Sequence, residues 1–537
     1  MTLVASPEAQ VPQAAIHRHP SSPPPIEIFV TAAEAYPALE RAFLQAEREI
    51  VAGFRVFDLK TKLRSPEGQS IGPTWFELMI HTLRRGVSVR IVLADFDPLA
   101  RPRLHRATWR SVRMFWAAAE MAGPGARLEV VPSMHSAVAG IWPRILFWPV
   151  VKTRLGRVTG WLRRQVSSRR LRALREMPGI EEMLVAKDEL PRPRLFVVPP
   201  LYPATHHQKL AVFDERRLYI GGLDLDERFY DTPQHRQPGH QTWHDVQLML
   251  DGPIARDGRA HLLDFLDIID GKAEASDPFP DRTGLRFVRT LSRRRGRGAW
   301  RFISPEPAVA EIEAAHRAGI AGATQLVYVE TQYFRDRRLA RLLAEEARRK
   351  PDLRMILILP GAPDDVAFEG STRLDARLGE FLQAKCLRIL RRGFGRRLFV
   401  GGAAQARRTD ATGRAQLRGA PLVYIHAKVS IFDDAQAIVA SANLNGRSLR
   451  WDTEAGVVLT RPAEVARLRQ RLMAHWLPKD AAGEFFDPDR AVAAWWRLAA
   501  QNAKLPPERR RGFLLPYDLR SAEEFGRAFP LVPDEMV

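Results

Sequence analysis

Residues 207–225 read HQKLAVFDERRLYIGGLDL, and residues 426–444 read HAKVSIFDDAQAIVASANL. Each begins with His-x-Lys, runs through four residues and reaches Asp: His207, Lys209 and Asp214 in the first, His426, Lys428 and Asp433 in the second. Seventeen residues after each His stands a further polar side chain, Asp224 or Asn443. One such match arises by chance in roughly a few chains per hundred of this composition, the usual risk with a short motif. Two at corresponding places argue for duplication. The spacing predicts extended backbone, because His-x-Lys then places both side chains on one face. LAVF (210–213) and VSIF (429–432) carry the strand onward into a core. After the turn, LYIGG and AIVAS bring small residues back alongside, and Gly221, Gly222 and Ser441 are expected to leave room for backbone near a phosphate. An acid opens the next strand in each copy, Asp245 in WHDVQLML and Glu454 in WDTEAGVVL. Such a carboxylate can accept a hydrogen bond from one imidazole nitrogen and so fix its tautomer.

Working outward, the residues around both copies alternate between helical and strand-like spacing. In the first half, 33–50 is helical, 50–59 a strand, 75–85 helical, 87–94 a buried strand, 104–121 helical and 128–131 a short strand. The second half repeats the series: 308–321 helical, 325–331 a strand, 337–349 helical, 353–359 a strand, 374–392 helical and 398–401 strand-like. This alternation predicts an α/β layer with buried strands, duplicated, with two similar halves facing each other. The expected units are a Pro-rich disordered tail (1–25), an N-terminal domain (26–270), a C-terminal domain (284–480) and an extension (481–537). The boundary falls in the polar stretch 271–283.

An insertion at 134–199 has no counterpart in the second half. It holds ten Arg or Lys between Arg144 and Arg175 with no acid, interleaved with Trp142, Phe147, Trp148 and Trp161. Aromatics beside clustered cations suit an anionic membrane surface, at about 1 kcal/mol per charge near the headgroups. The segment 141–175 is therefore the expected membrane contact, with a surface helical hairpin packed on its own domain and a nucleic-acid contact as the alternatives, and a second Arg cluster (Arg293, Arg294, Arg295, Arg297) reads as a solvated loop.

Composition narrows the function classes. The 537 residues carry a formal charge of +20, and 71 of the 82 basic residues are Arg, whose planar fork suits phosphate or carboxylate. A lone Cys386 excludes an intramolecular disulfide framework and any multi-Cys metal site. The first 25 residues lack the pattern of a signal peptide, and no apolar run approaches the roughly 20 residues of a membrane span. The expected location is cytoplasmic, peripheral at the inner membrane face.

The doubled His-x-Lys-x4-Asp pattern resembles the phospholipase D superfamily. GGLDL with WHDVQLMLDGP, VYVETQYF (327–334) and SANLNGRSLRWDTE (441–454) extend the resemblance over roughly residues 26–480. The fold it implies is a duplicated α-β-α sandwich whose two domains form one active site at their interface. By the same resemblance His207 is the nucleophile, His426 the acid and base, and Lys209 and Lys428 neutralise the phosphoryl oxygens with help from Asn443. Asp214 and Asp433 are structural supports, and no metal or cofactor is required. Asp224 replaces the Asn of the second copy, and the long phospholipases D also carry Asp there. The implied activity is a metal-independent phosphodiesterase or transphosphatidylase acting on glycerophospholipids through a phosphohistidine. A cardiolipin synthase-like phosphatidyltransferase and a nuclease of the superfamily are the alternatives. Nucleic acid ranks behind lipid because such nucleases tend to be short and carry one motif.

Among the other polar residues, His206 is expected to pack away from the site, and His244 either lines the cleft or is buried. His235 and His240 read as solvated without metal-ligand spacing, and Glu330 as a strand-end carboxylate paired with an Arg.

Overall fold

The computed structural model describes residues 26–187, 190–194, 198–296, 298–530 and 532–537. The Pro-rich tail 1–25 and Arg297 lie outside the described residues.

The first half builds a seven-stranded sheet from β1 (Glu27–Val30), β2 (Glu49–Phe54), β3 (Ser88–Ala94), β4 (Leu128–Ser133), β5 (Leu210–Phe213), β6 (Arg217–Gly221) and β7 (Val246–Asp251). Their order across the sheet is β1-β7-β6-β5-β2-β3-β4. The second half contributes β8 (Leu285–Arg293), β9 (Glu306–Ala310), β10 (Leu326–Thr331), β11 (Arg354–Ile358), β12 (Leu398–Ala403), β13 (Lys428–Phe432), β14 (Gln436–Ala440), β15 (Glu454–Leu459) and β16 (Leu514–Pro516). Its order is β9-β8-β15-β14-β13-β10-β11-β12-β16. Removing the edge strands β9 and β16 leaves the seven-strand order of the first sheet, so the duplication extends to topology. In both, the strand after His-x-Lys pairs antiparallel with the first strand of a parallel trio, at Gly53↔Leu210 and Thr331↔Lys428.

Local chemistry accounts for the elements. The helix Trp75–Arg84 starts in a capping box between Thr74 and Glu77, which satisfies two end groups at about 1 kcal/mol. The helix Ile254–Asp270 stops at Gly271, whose φ of 73° is left-handed backbone that glycine adopts without strain. Strand pairs β5–β6 and β13–β14 bury every apolar residue, giving continuous hydrophobic runs rather than alternation. One apolar core, including Leu218, Ile220, Phe287, Val439 and Val457, runs across both sheets and joins the halves.

The extension is part of this architecture. β16 pairs antiparallel with β12, and helix Ala491–Lys504 places Trp495 fully buried against the same core. The second sheet therefore continues past residue 480, the expected end of the C-terminal domain.

The insertion folds as helices Ile141–Leu146, Trp148–Arg163 and Ser167–Arg175 with a hairpin pairing Leu184–Lys187 and Leu190–Pro193. It carries a small core of its own around Leu155, Leu162 and Ile180. Of the four aromatics only Trp142 is well exposed; Trp161 packs under the Arg106 guanidinium. Glu176, just past the basic run, binds Arg106, Arg110 and Arg172, so part of the apparent charge is internally neutralised. In the second Arg cluster, Arg293 ends β8 between Glu274 and Glu306, and Arg295 lies over Phe302.

Several histidines are buried as neutral packing groups. Burial pushes His206 down to about 4, His261 to about 3 and His316 to about 4. A folded-state value below the unfolded one (~6.5) means that the unfolded chain takes up protons first as pH falls. Their contribution is therefore complete above pH ~6.5 and lost progressively on the way down to ~3. Melting curves between those limits are expected to show Tm falling steadily; a flat Tm would contradict this assignment.

Candidate active site

Both motifs converge at the seam between the halves. Short parallel bridges stitch it together: His207 N–H donates to the Thr453 carbonyl at 2.8 Å and Thr453 N–H to that of Thr205 at 3.0 Å. The second copy mirrors them, with His426 N–H on the His244 carbonyl at 2.7 Å and His244 N–H on that of Tyr424 at 2.8 Å. His207 and Lys209 sit on the extended segment entering β5, and Lys428 opens β13.

These bridges cross the acids over. His207 Nδ1 lies 3.0 and 3.1 Å from the two Glu454 oxygens, and His426 Nδ1 lies 2.6 Å from Asp245 Oδ2. Each imidazole is thus oriented by the carboxylate of the opposite half. With Nδ1 committed, Nε2 is the nitrogen available to react. The Ser441 hydroxyl donates to Glu454 Oε2 at 2.5 Å, so it steadies the carboxylate behind His207. Gly222 stands at the equivalent place in the first half. A Cβ there would sit 2.0 Å from Asp245 Oδ1, and one at Gly221 would sit 2.4 Å from the Val246 carbonyl. The small residues expected to admit a phosphate instead admit the carboxylate and the neighbouring strand.

The two lysines are buried. Lys209 Nζ is 3.6 Å from Asp224 Oδ2 and donates to the His207 carbonyl; Lys428 Nζ donates to the His426 carbonyl and is 2.8 Å from His426 Nδ1. Burial pushes Lys428 down to about 7, with Asp245 opposing. Burial, then the charges of Lys209, Arg55, Lys428 and Arg447, hold His207 well below the usual histidine range. Burial and Lys428 do the same to His426 against the pull of Asp245. The pairs differ in their acids. Burial favours the neutral form of both, but Lys428 and His426 hold Asp245 below its ordinary value, whereas burial prevails at Glu454 and raises it.

Asp224 accepts the backbone N–H of Arg55 at 3.0 Å and of Val56 at 2.9 Å, anchoring the loop after β2. Asn443 donates its amide to Gln332 Oε1 at 3.2 Å, and its own Oδ1 is buried without a partner among the described residues. Asp214 and Asp433 lie at the far ends of β5 and β13. Asp214 accepts three backbone N–H groups from Glu47, Arg48 and Glu49 at 2.8–3.0 Å, and Asp433 three from Thr324, Gln325 and Leu326 at 2.7–3.0 Å. Both are held at a φ of 52°. They tie the start of the neighbouring strand and touch neither His.

Arg55 and Arg447 lie outside the motifs, yet their charges bear on His207. Arg55 follows β2 where Gln332 follows β10, a match visible when VAGFRVF (51–57) is laid against VYVETQYF (327–334). Arg447 binds Asp452, which in turn accepts the Thr205 N–H at 2.7 Å. His206 packs between Ser133 and Thr453. His244 is fully buried, its Nε2 2.7 Å from Glu330 Oε2. Glu330 and His235 depart from expectation. Glu330 has no Arg partner among the described residues; it binds His244, the Tyr328 hydroxyl and the Trp476 indole. His235 is buried rather than solvated, because Asp231 takes its Nδ1 at 2.6 Å and aromatic rings close over it; His240 alone of that pair is exposed.

Residues 317–476 match the family described as "Cardiolipin synthase, PLD-like domain". Phospholipase D1 of Schizosaccharomyces pombe is 26% identical over 343 residues, covering 47% of this chain and 25% of that protein. Phospholipase D alpha 1 of Oryza sativa subsp. japonica is 25% identical over 355 residues, covering 46% of this chain and 44% of that protein. The chain therefore spans less than half the length of these relatives. Among solved structures, a phosphatidylserine synthase from Haemophilus influenzae Rd KW20 superposes with a TM-score of 0.48 at 13% identity, covering 90% of this chain and 95% of that one. Residues 317–476 are thus a phospholipase D-like domain, and the similarity to phospholipases D extends over about half of the chain.

Proposed function

We propose that the protein is a phosphodiesterase or phosphatidyltransferase acting on glycerophospholipids through a phosphohistidine on His207. The observation that carries this reading is the crossed pair of carboxylate-oriented imidazoles with two buried lysines beside them. His207 Nε2 attacks phosphorus and the P–O bond to the leaving alkoxide breaks as His426 donates its proton. His426 then takes the proton of water or an acceptor alcohol, whose oxygen displaces His207. Lys209 and Lys428 neutralise charge on the nonbridging oxygens as it builds. The asymmetry of the acids supports the division of labour. Asp245, held ionised 2.6 Å from His426, works against the burial and the Lys428 charge that favour the neutral ring, as a group that must gain and give a proton requires.

Phospholipid as substrate is supported by the relatives named above. A peripheral site of attachment is supported by a patch that draws on both halves. Trp142 is 58% exposed, Leu146 68% and Trp300 55%. Helix Ile141–Leu146 abuts the 299–302 turn, where Gly140 N–H donates to the Phe302 carbonyl at 2.8 Å. Arg294 and Arg301 are exposed beside it. Among the described residues no helix is long and apolar enough to cross a membrane. The paired change Trp142→Ser, Leu146→Ser is expected to weaken co-sedimentation with phosphatidylglycerol vesicles about tenfold or more, at 1–3 kcal/mol per inserted side chain. Turnover of a monomeric short-chain lipid should be unchanged. Undiminished vesicle binding would remove this surface from the reading.

The deciding assay is product analysis on mixed phosphatidylcholine and phosphatidylglycerol vesicles with ethanol present. Phosphatidic acid or phosphatidylethanol from the wild type, absent with His207→Ala, is the expected result. Failure to form either across common headgroups, together with cleavage of DNA or RNA, would transfer the mechanism to a nuclease.

A further inference from the structure

Behind the catalytic seam lies a cluster that the proposed reaction does not use. His235, in the 231–244 loop of the first half, and His475, in helix Pro462–Trp476 of the second, bring their Nε2 atoms to 2.9 Å of each other. The third ring, His244, stands 4.7 Å from His475 and 5.9 Å from His235 between centroids. One ligand nitrogen from each of the three lies within 4.8 Å of the others. His244 is fully buried, its Nε2 is taken by Glu330, and its Nδ1 has no hydrogen-bond partner among the described residues. A buried ring nitrogen left unpaired is destabilising, and a hydrogen bond between His235 and His475 does nothing to relieve it.

We propose that His235, His244 and His475 bind one divalent transition-metal ion of the zinc or cobalt class, clamping the two halves together behind the active site. Imidazole nitrogens suit these ions, whose bonds of about 2.0–2.1 Å put neighbouring ligand nitrogens roughly 3.4 Å apart in a tetrahedron. Small movements of rings already this close would reach that spacing. The outer groups that metal-bound histidines need are in place. Asp231 accepts from His235 Nδ1 at 2.6 Å and Glu330 pairs with His244 Nε2 at 2.7 Å, which fixes both tautomers. Those carboxylates are themselves pinned, Asp231 by the Trp243 N–H and Glu330 by the Tyr328 hydroxyl and Trp476 indole. Trp476 and Phe513 wall the cluster, while His475 is only half-buried and leaves an edge for a water as fourth ligand. His244 precedes Asp245, and its carbonyl accepts the His426 N–H, so the ion would brace the turn carrying the acid of the catalytic pair. It takes no part in the reaction.

The test uses the full chain, free of any polyhistidine tag, with metal content measured after dialysis. After chelator treatment the protein is titrated with Co²⁺ and then with Zn²⁺. One equivalent of bound metal, visible absorption bands of tetrahedral Co²⁺ and a Tm that rises with Zn²⁺ are expected. His475→Gln, at the half-buried position, should lose the Co²⁺ bands and the Zn²⁺-dependent rise in Tm; His240→Gln, at the exposed neighbour, should keep both. Wild-type protein that neither retains metal nor gives Co²⁺ bands would overturn the proposal, whether or not the variant folds. Bands that persist in His475→Gln would place the ion elsewhere and overturn it equally. Lipid turnover does not enter these readouts, so this proposal and the functional one fail separately.

Discussion

His207→Ala and His426→Ala are each expected to lower turnover of a natural lipid by at least about 10⁴-fold, because each removes a group that makes or breaks a bond to phosphorus. The double variant should cost no more than the worse single one, since the pair acts as a unit. A substrate with an activated leaving group, such as a nitrophenyl phosphodiester, separates the roles. It needs no proton on departure, so His426→Ala should release nitrophenol in one rapid turnover and then stall, with His426 missing as base for the second step. His207→Ala should show no burst. The stalled protein should carry the phosphoryl group on His207. Label recovered on His426 in the reciprocal experiment with His207→Ala would reverse the assignment.

Removing the orienting carboxylates should cost about 10²–10⁴-fold in kcat, by analogy with the loss of an acid behind a catalytic imidazole. The crossed geometry makes the consequence of each specific. Asp245→Asn lies in the first half and yet should behave like a weakened His426→Ala, rescued in its first step by the activated substrate. Glu454→Gln lies in the second half and should behave like a weakened His207→Ala, without rescue. The reverse pattern would contradict the pairing of His207 with Glu454 and of His426 with Asp245. Asp214→Asn provides the contrast. Its carboxylate holds three backbone N–H groups at the far end of β5, so Tm should fall while kcat stays near the wild-type value. A loss in kcat comparable to that of Asp245→Asn would show that the far end of β5 communicates with the site.

Much of this architecture can be read from local pattern. Helix Arg337–Arg349 falls where the spacing of Leu339, Leu343 and Ala347 puts it, and β10 and β11 fall within a residue of the expected runs. The two His-x-Lys-x4-Asp copies and their following acids come from spacing alone. Burial fraction is less legible. His235 looks solvated between Pro233 and Pro238, and only a distant helix, bringing His475 and Trp476, closes over it. Glu330 likewise sits on its strand as an ordinary carboxylate until the partner half delivers His244. The extension after residue 480 has no repeat to reveal it, and its place is set by the open edge of β12, which β16 covers.

The duplicated α/β plan, the four motif groups His207, Lys209, His426 and Lys428, and the presence of an acid for each imidazole are legible in the chain alone. Those features rest on periodicity and short spacings, which the chain expresses locally. Only the folded chain shows which acid serves which His, that Gly222 is small because Asp245 occupies the space beside it, and that three histidines from separate segments meet behind the seam. Each of those depends on how the two sheets pack, and packing across a seam joins residues some 180 to 250 positions apart, where no local pattern in the chain records the partner.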